Sequence, residues 1–183
     1  MTTTTTTPID GCIVLGLHRM RDERGAFARA FSAPELAAAG APFTVVQANL
    51  AVSAEPGTVR GMHYQVAPHG EQKFLRCVRG AVYDVVVDLR AASPTYRSWF
   101  GVELTAEDGL SVLVPRGCAH GYMSLRADSE VLYFVDAAYE PAAERVLSAR
   151  HEDIAIDWPL PIAVQSDKDA AAPTTGEPPA SGY

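Results

Sequence analysis

Between residues 43 and 135 the chain is cut into short runs rich in valine and aromatic residues, separated by glycine- and proline-bearing breaks. The runs at 43–50, 73–78, 81–89, 98–104, 111–114 and 130–135 all have strand length. Pro56-Gly57, Arg79-Gly80, Ala92-Ser93-Pro94, Asp108-Gly109 and Pro115-Arg116-Gly117 supply what tight turns need: a φ preset by proline or freed by glycine. Many short strands at near-regular spacing predict an all-β sandwich or closed barrel and exclude a βαβ nucleotide fold. Only residues 33–39 read as helix, with a second, small helix expected at 141–145. GxGxxG and the P-loop are both missing, so neither common phosphate cradle is present.

With 183 residues, 48% of them hydrophobic, the chain fills one core and not two. The opening threonine run and the Pro-, Gly-, Thr- and Ala-rich end read as frayed. One domain is therefore expected at 9–169, between a disordered tail at 1–8 and a flexible tail at 170–183. The formal net charge of -7 argues against nucleic acid and against an anionic membrane surface. Any anionic ligand must be met by a few local basic residues. The most apolar stretch, residues 82–89, is interrupted by Asp84 and Asp88, so no bilayer span is expected. The threonine-rich start has neither the basic nor the apolar region of a secretory signal. Cys12, Cys77 and Cys118 are odd in number, widely spaced and form no CxxC. They imply neither a disulfide framework nor a zinc cage, and a reducing cytoplasm fits best.

Two histidines stand out by context. His63 lies in Arg60-Gly61-Met62-His63-Tyr64-Gln65, just after the Pro56-Gly57 turn. On a strand, Met62 and Tyr64 point one way while Gly61, His63 and Gln65 point the other. His120 follows Pro115-Arg116-Gly117-Cys118-Ala119, a turn that delivers it onto the next strand. Each histidine by itself also fits a structural role. Together they resemble the cupin barrel, a jelly-roll fold with a histidine strand, an intervening hairpin and a Pro-x-Gly-x-x-His segment. Many cupins hold a metal with a His-x-His pair, a carboxylate and the later histidine. Here Gln65 replaces the second histidine, and Glu71 is loosely spaced as a carboxylate ligand.

Further segments match one cupin family more closely. They include Asp22-Glu23-Arg24-Gly25-Ala26-Phe27, Val46-Gln47-Ala48-Asn49, Val59-Arg60-Gly61-Met62-His63-Tyr64-Gln65, Gln72-Lys73 and Ser93-Pro94-Thr95-Tyr96. Pro115-Arg116-Gly117-Cys118-Ala119-His120-Gly121, Ile156-Asp157-Trp158-Pro159 and Ser166-Asp167-Lys168-Asp169 continue the series. In order, over nearly the whole chain, they resemble the dTDP-4-dehydrorhamnose 3,5-epimerase family. The resemblance implies an all-β, cupin-type jelly-roll β-barrel with a few short helices. It also implies a cofactor-independent isomerase, with no metal, acting on a dTDP-linked 4-keto-6-deoxyhexose. Inversion beside a ketone needs a base on one face, stabilisation of the enolate oxygen and an acid on the other face.

In that family's pattern His63 matches the base, Asp169 the carboxylate that orients it, Lys73 the cation near the enolate and Tyr133 the acid. Arg24, Phe27, Gln47, Asn49, Arg60 and Lys168 match nucleotide contacts, with His120, Tyr139 and Glu144 nearer the sugar. Arg24, Arg60 and Lys168 neutralise a diphosphate locally, and Phe27 and Tyr139 offer faces for stacking. The resemblance further implies a homodimer whose N-terminal strands cross the interface and reach the neighbour's pocket.

Three departures stand against the family pattern. Arg29 replaces a glutamate that faces the nucleotide, Phe134, Val135 and Ala137-Ala138 replace a more polar stretch, and residues 146–152 replace a tryptophan-and-acid segment. The last two are expected on the acid side of the pocket, where the number of inversions is decided. Other readings stay open: a mono-epimerase at carbon 3 or carbon 5, a ketoisomerase, a metal-dependent cupin oxygenase, or a non-catalytic sugar-binding cupin.

Overall fold

The computed structural model describes residues 3–183. Its strands form two antiparallel sheets and one separate hairpin. The six-stranded sheet runs β1 (Thr3–Thr6), β2 (Ile13–Gly16), β10 (Leu110–Val114), β7 (Lys73–Arg79), β12 (Ser129–Val135), β5 (Gln47–Ser53). The five-stranded sheet runs β13 (Glu144–Val146), β6 (Val59–Gln65), β11 (Cys118–Ser124), β8 (Ala81–Asp88), β9 (Trp99–Thr105). Among the described residues β3 (Arg19–Asp22) pairs with β4 (Gly25–Ala28) and with neither large sheet. Two short helices, α1 (Ala33–Ala38) and α2 (Asp167–Ala170), complete the set. This is the mostly-β, two-sheet architecture that the strand-and-turn punctuation predicts.

The alternation of β8 shows how the layers are made. Val82 and Val86 face inward and join Leu75, Cys77, Val112 and Val131 of the other sheet in the central core. Val85 and Val87 face outward, where Leu147, Ile154 and Trp158 cover them. On the far side, Leu36 of α1 packs with Phe43 and Phe74 over the six-stranded sheet. Ser32 caps α1 by accepting from the Glu35 amide, and Pro34 sits in its first turn, where a missing N–H does no harm.

Four expectations are corrected. The threonine run is not a tail over its described part: Thr3–Thr6 pairs with Ile13–Gly16, because β-branched residues suit an extended strand and the edge of β2 offers unpaired backbone groups. Residues 1 and 2 of that expected tail lie outside the described residues. The C-terminal segment is also docked. Ser181 is fully buried and donates to the Leu89 carbonyl at 2.8 Å, Tyr64 donates to the Pro179 carbonyl at 2.6 Å, and Tyr183 accepts from the Gly70 amide at 2.9 Å. The expected helix at 141–145 is a turn leading into β13, since the free edge of β6 outcompetes a helix too short to nucleate. The run at 43–50 becomes a strand only from Gln47, because Phe43 turns into the layer over the six-stranded sheet. Among the described residues no helix is long and apolar enough to cross a membrane.

Candidate active site

β6 carries the first functional side chain. Met62 and Tyr64 bury outward with Val85 and Val87, so His63 and Gln65 face the interior. His63 Nε2 lies 2.7 Å from Asp169 Oδ1, and the His63 side chain keeps 30% of its surface exposed. Asp169 arrives on α2, whose cap is the Ser166 hydroxyl accepting from the Asp169 amide at 3.1 Å. The second carboxylate oxygen, Oδ2, accepts from the Gly61 amide at 3.3 Å. Burial pushes the Asp169 carboxyl up, but its hydrogen bond and charge interaction with His63 and the amide of Gly61 outweigh that and hold it below its ordinary value. An ionised carboxylate at Nε2 fixes the imidazole proton there and leaves Nδ1 as the basic nitrogen.

The other sheet faces this dyad. Lys73 on β7, Tyr133 on β12, and Gln47 and Asn49 on β5 line a cavity of about 220 Å³ together with His63. Lys73 Nζ donates to the His63 carbonyl at 3.2 Å and pairs with Glu71 at 3.2 Å. Burial raises the Tyr133 phenol above its ordinary value, with Glu71 adding to the effect, so the hydroxyl stays protonated. A neighbouring cavity of about 170 Å³ shares His63, Lys73 and Tyr133 and adds Arg60 and His120. On its remaining side His63 borders an open cleft lined by Arg60, Lys168 and Asp169. Arg60 is braced by the Val52 carbonyl at 2.7 Å and the Ser53 hydroxyl at 3.2 Å.

At the rim, Lys168 pairs with Glu144 at 2.8 Å and Tyr139 donates to the same carboxylate at 2.9 Å. Burial raises the Glu144 carboxyl, but the Lys168 and Tyr139 hydrogen bonds prevail and hold it low. The structure therefore brings together His63, Asp169, Lys73, Tyr133, Gln47, Asn49, Arg60, His120, Tyr139, Glu144 and Lys168. Arg24 and Phe27 are elsewhere. Arg24 pairs with Asp22 on the β3–β4 hairpin, and Phe27 is 65% exposed. Phe27 lines a larger, mainly apolar groove of about 660 Å³, which shares no lining residue with the cavities around His63. Arg29 lies in that groove and pairs with Glu35 at 3.0 Å.

Two residues were not singled out from the sequence. His120 sits opposite His63 in the β6–β11 register, and its Nε2 lies 2.8 Å from Asp84, which is 1% exposed. Asp84 has the inward parity of Val82 and Val86, so a carboxylate on the core side of an apolar strand was the available signal. Tyr122, two residues on from His120 and opposite Asp84 in the β11–β8 register, lines the cavity that His120 shares with His63. Gln65 is wholly engaged in structure: its amide nitrogen donates to the His69 and Ala138 carbonyls and to Glu71, and its oxygen accepts from the Glu140 amide. Among the described residues no three His, Cys, Asp or Glu side chains are grouped to hold a metal.

The expected placement of the departures is also corrected. Only Val135 lines the pocket. Phe134 faces away and packs with Phe31 at 5.4 Å and Phe74 at 6.3 Å between ring centroids. Leu147 lies behind β6, exchanging backbone hydrogen bonds with Met62.

What remains is a compact pocket with an oriented imidazole on one sheet, a protonated phenol on the other and a lysine near both. That set suits proton removal and redelivery at carbon next to a carbonyl. The sequence pattern of the dTDP-4-dehydrorhamnose 3,5-epimerase family matches residues 6–177. The chain is 42% identical over 161 residues to a Sinorhizobium fredii dTDP-4-dehydrorhamnose 3,5-epimerase, covering 87% of this chain and 83% of that one. It is 38% identical over 165 residues to a Streptomyces niveus dTDP-4-dehydrorhamnose 3-epimerase, covering 88% and 79%. The crystal structure of the Bacillus anthracis 3,5-epimerase with TDP and PPi bound superposes with a TM-score of 0.92 at 35% identity, covering 94% of this chain and 99% of that one. From its sequence pattern, its relatives and its two-sheet pocket, the chain belongs to the dTDP-4-dehydrorhamnose 3,5-epimerase family of cupin isomerases.

Proposed function

We propose that the protein inverts carbons 3 and 5 of a dTDP-linked 4-dehydro-6-deoxyhexose. The observation that carries this reading is the placement of His63 and Tyr133 on opposite sheets of one pocket. A sugar held between the sheets presents one face to the imidazole and the other to the phenol. Nδ1 of His63 takes the proton from the carbon beside the ketone, and the C–H electron pair moves onto the carbonyl oxygen as an enolate. Asp169 stabilises the imidazolium, and Lys73 compensates the enolate charge. Tyr133 delivers a proton to the opposite face as the carbonyl re-forms, which inverts the centre.

Arg60 and Lys168 take the diphosphate, and Gln47 and Asn49 hold the nucleoside end, with His120, Tyr139 and Glu144 nearer the sugar. Arg24 and Phe27 serve the same pocket from a second copy of the chain, which makes the working unit a homodimer. The exposed Arg24 and Phe27 on a hairpin unpaired with either sheet support this, as do exposed Leu50 and Val52 on the edge strand β5. The three cysteines are all buried and free, in keeping with a reducing cytoplasm.

The test is incubation with dTDP-4-dehydro-6-deoxy-D-glucose in deuterated water, followed by proton NMR. Deuterium at both carbon 3 and carbon 5, with inversion of each, is the expected result. Label at one carbon only identifies a mono-epimerase, a second reading to which the 38% identity to the Streptomyces niveus 3-epimerase lends support. No label at either carbon overturns the assignment.

A further inference from the structure

Among the described residues, Arg76 is a buried cation outside the epimerase pocket with no counterion. Arg76 on β7 is 5% exposed, and Nη2 alone of its guanidinium nitrogens is used, donating to the Ala30 carbonyl. Nε and Nη1 are buried without a partner. The guanidinium carbon lies 5.6 Å from the Phe74 ring centroid, which offsets only part of the desolvation. Burial, with Arg19 nearby, pulls the group down to about 10, and no carboxylate opposes the shift. Isolated buried charges are expensive, and buried N–H groups seek acceptors.

Those N–H groups belong to a residue lining a cavity of about 30 Å³ between the six-stranded sheet and α1. Ser111 lines it too, and its hydroxyl is likewise buried and unpartnered. The register Val112↔Leu75 places Ser111 beside Arg76 on adjacent strands. Leu15, Phe31, Leu36 and Phe74 form apolar wall, while the one carboxylate there, on Glu35, pairs with Arg29. Guanidinium presents donors only and the Ser111 hydroxyl can donate as well, so an anion here accepts from both strands. A water molecule needs acceptors for its own protons as well, whereas an anion does not. The volume of about 30 Å³ is enough for a particle of about water or halide size.

We propose that Arg76 and Ser111 form a binding site for one monovalent anion of halide size, buried beneath α1 and separate from the epimerase pocket. The anion neutralises Arg76 and ties the α1 layer to the sheet. Binding to the folded state alone raises the melting temperature as the anion saturates. Thermal melts of the full chain in sodium chloride or bromide are compared with sodium gluconate at equal ionic strength. A saturable rise with the halides and none with gluconate is expected, and Arg76→Met abolishes the difference. Should that variant not fold, Ser111→Ala serves instead, weakening halide affinity by roughly tenfold through loss of one charge-assisted hydrogen bond. Crystals soaked in bromide should give an anomalous peak between Arg76 and Ser111. Melting temperatures that follow ionic strength alone, or bromide peaks confined to the surface, overturn the proposal.

Discussion

His63 and Asp169 stand 106 positions apart in sequence and 2.7 Å apart in space. His63→Ala removes the base and should lower kcat by about 10²–10⁴-fold, with deuterium uptake at carbon 3 and carbon 5 lost in parallel. Asp169→Asn keeps the shape but not the charge that orients the ring, so a fall of similar order is expected while the fold persists. Retention of near-native turnover by either variant would remove the dyad from the mechanism. The same carboxyl is linked to stability. Because its folded value is depressed below the ordinary 3.8, its contribution is present above that pH and is lost as pH falls through the lowered value. Acid unfolding followed by circular dichroism should therefore show a shallower loss below pH 3.8 for Asp169→Asn than for the wild type. His63, Lys73, His120 and Asp169 stood out as candidates because each sits in a distinctive short motif, whereas Tyr133, Tyr139 and Glu144 lie outside those motifs and came from the family pattern alone. Asp84 was not singled out: its place on the core side of an apolar strand was the one signal, and nothing in the spacing ties it to His120, 36 positions on.

At the scale of elements, the contact between β6 and β11 sets the pocket. Gly61 has φ +132, and a Cβ there would meet Gly121 Cα at 2.6 Å and the His120 carbonyl at 2.9 Å. A Cβ on Gly121 would meet the Arg60 carbonyl at 2.7 Å. Two facing glycines let the backbones approach where the register shifts between His120 and Tyr122. Gly121→Ala should force the strands apart, at a cost of about 1–3 kcal/mol, read as a lower melting temperature. The same displacement separates His63 from its facing histidine strand, so kcat should fall even at temperatures where the variant is folded. A variant of native stability and activity would show that the close approach is dispensable. Most long strands were legible from valine-rich runs between turns. β13, three residues long, was not, because its pairing depends on the exposed edge of β6 and not on its own composition. β1 was hidden for a related reason: a threonine run resembles a low-complexity tail until β2 offers it a partner.

For the whole molecule, the net charge of -7 leaves an anionic ligand to a few local basic side chains, and those matched to the nucleotide lie in two places. Arg60 and Lys168 border the cleft at His63, whereas Arg24 stands on a hairpin away from it. If the hairpin serves a second copy's pocket, mixing His63→Ala chains with Arg24→Ala chains should restore activity. Half of the dimers are then mixed and one of their two sites is complete, so recovery to about a quarter of wild-type turnover is expected under non-saturating substrate. No recovery after verified exchange of subunits would place Arg24 in the service of its own chain or of none. Amino-acid order by itself determined the strand alternation, the turns and the ordered motifs that identify the family, because these depend on side-chain period and local backbone preference. Tertiary structure alone decided that Asp84 meets His120, which departures reach the pocket and which lie behind it, and that Arg76 is buried without a counterion among the described residues. Those outcomes depend on which faces two sheets bury against each other, a property of long-range pairing that no local stretch of sequence contains.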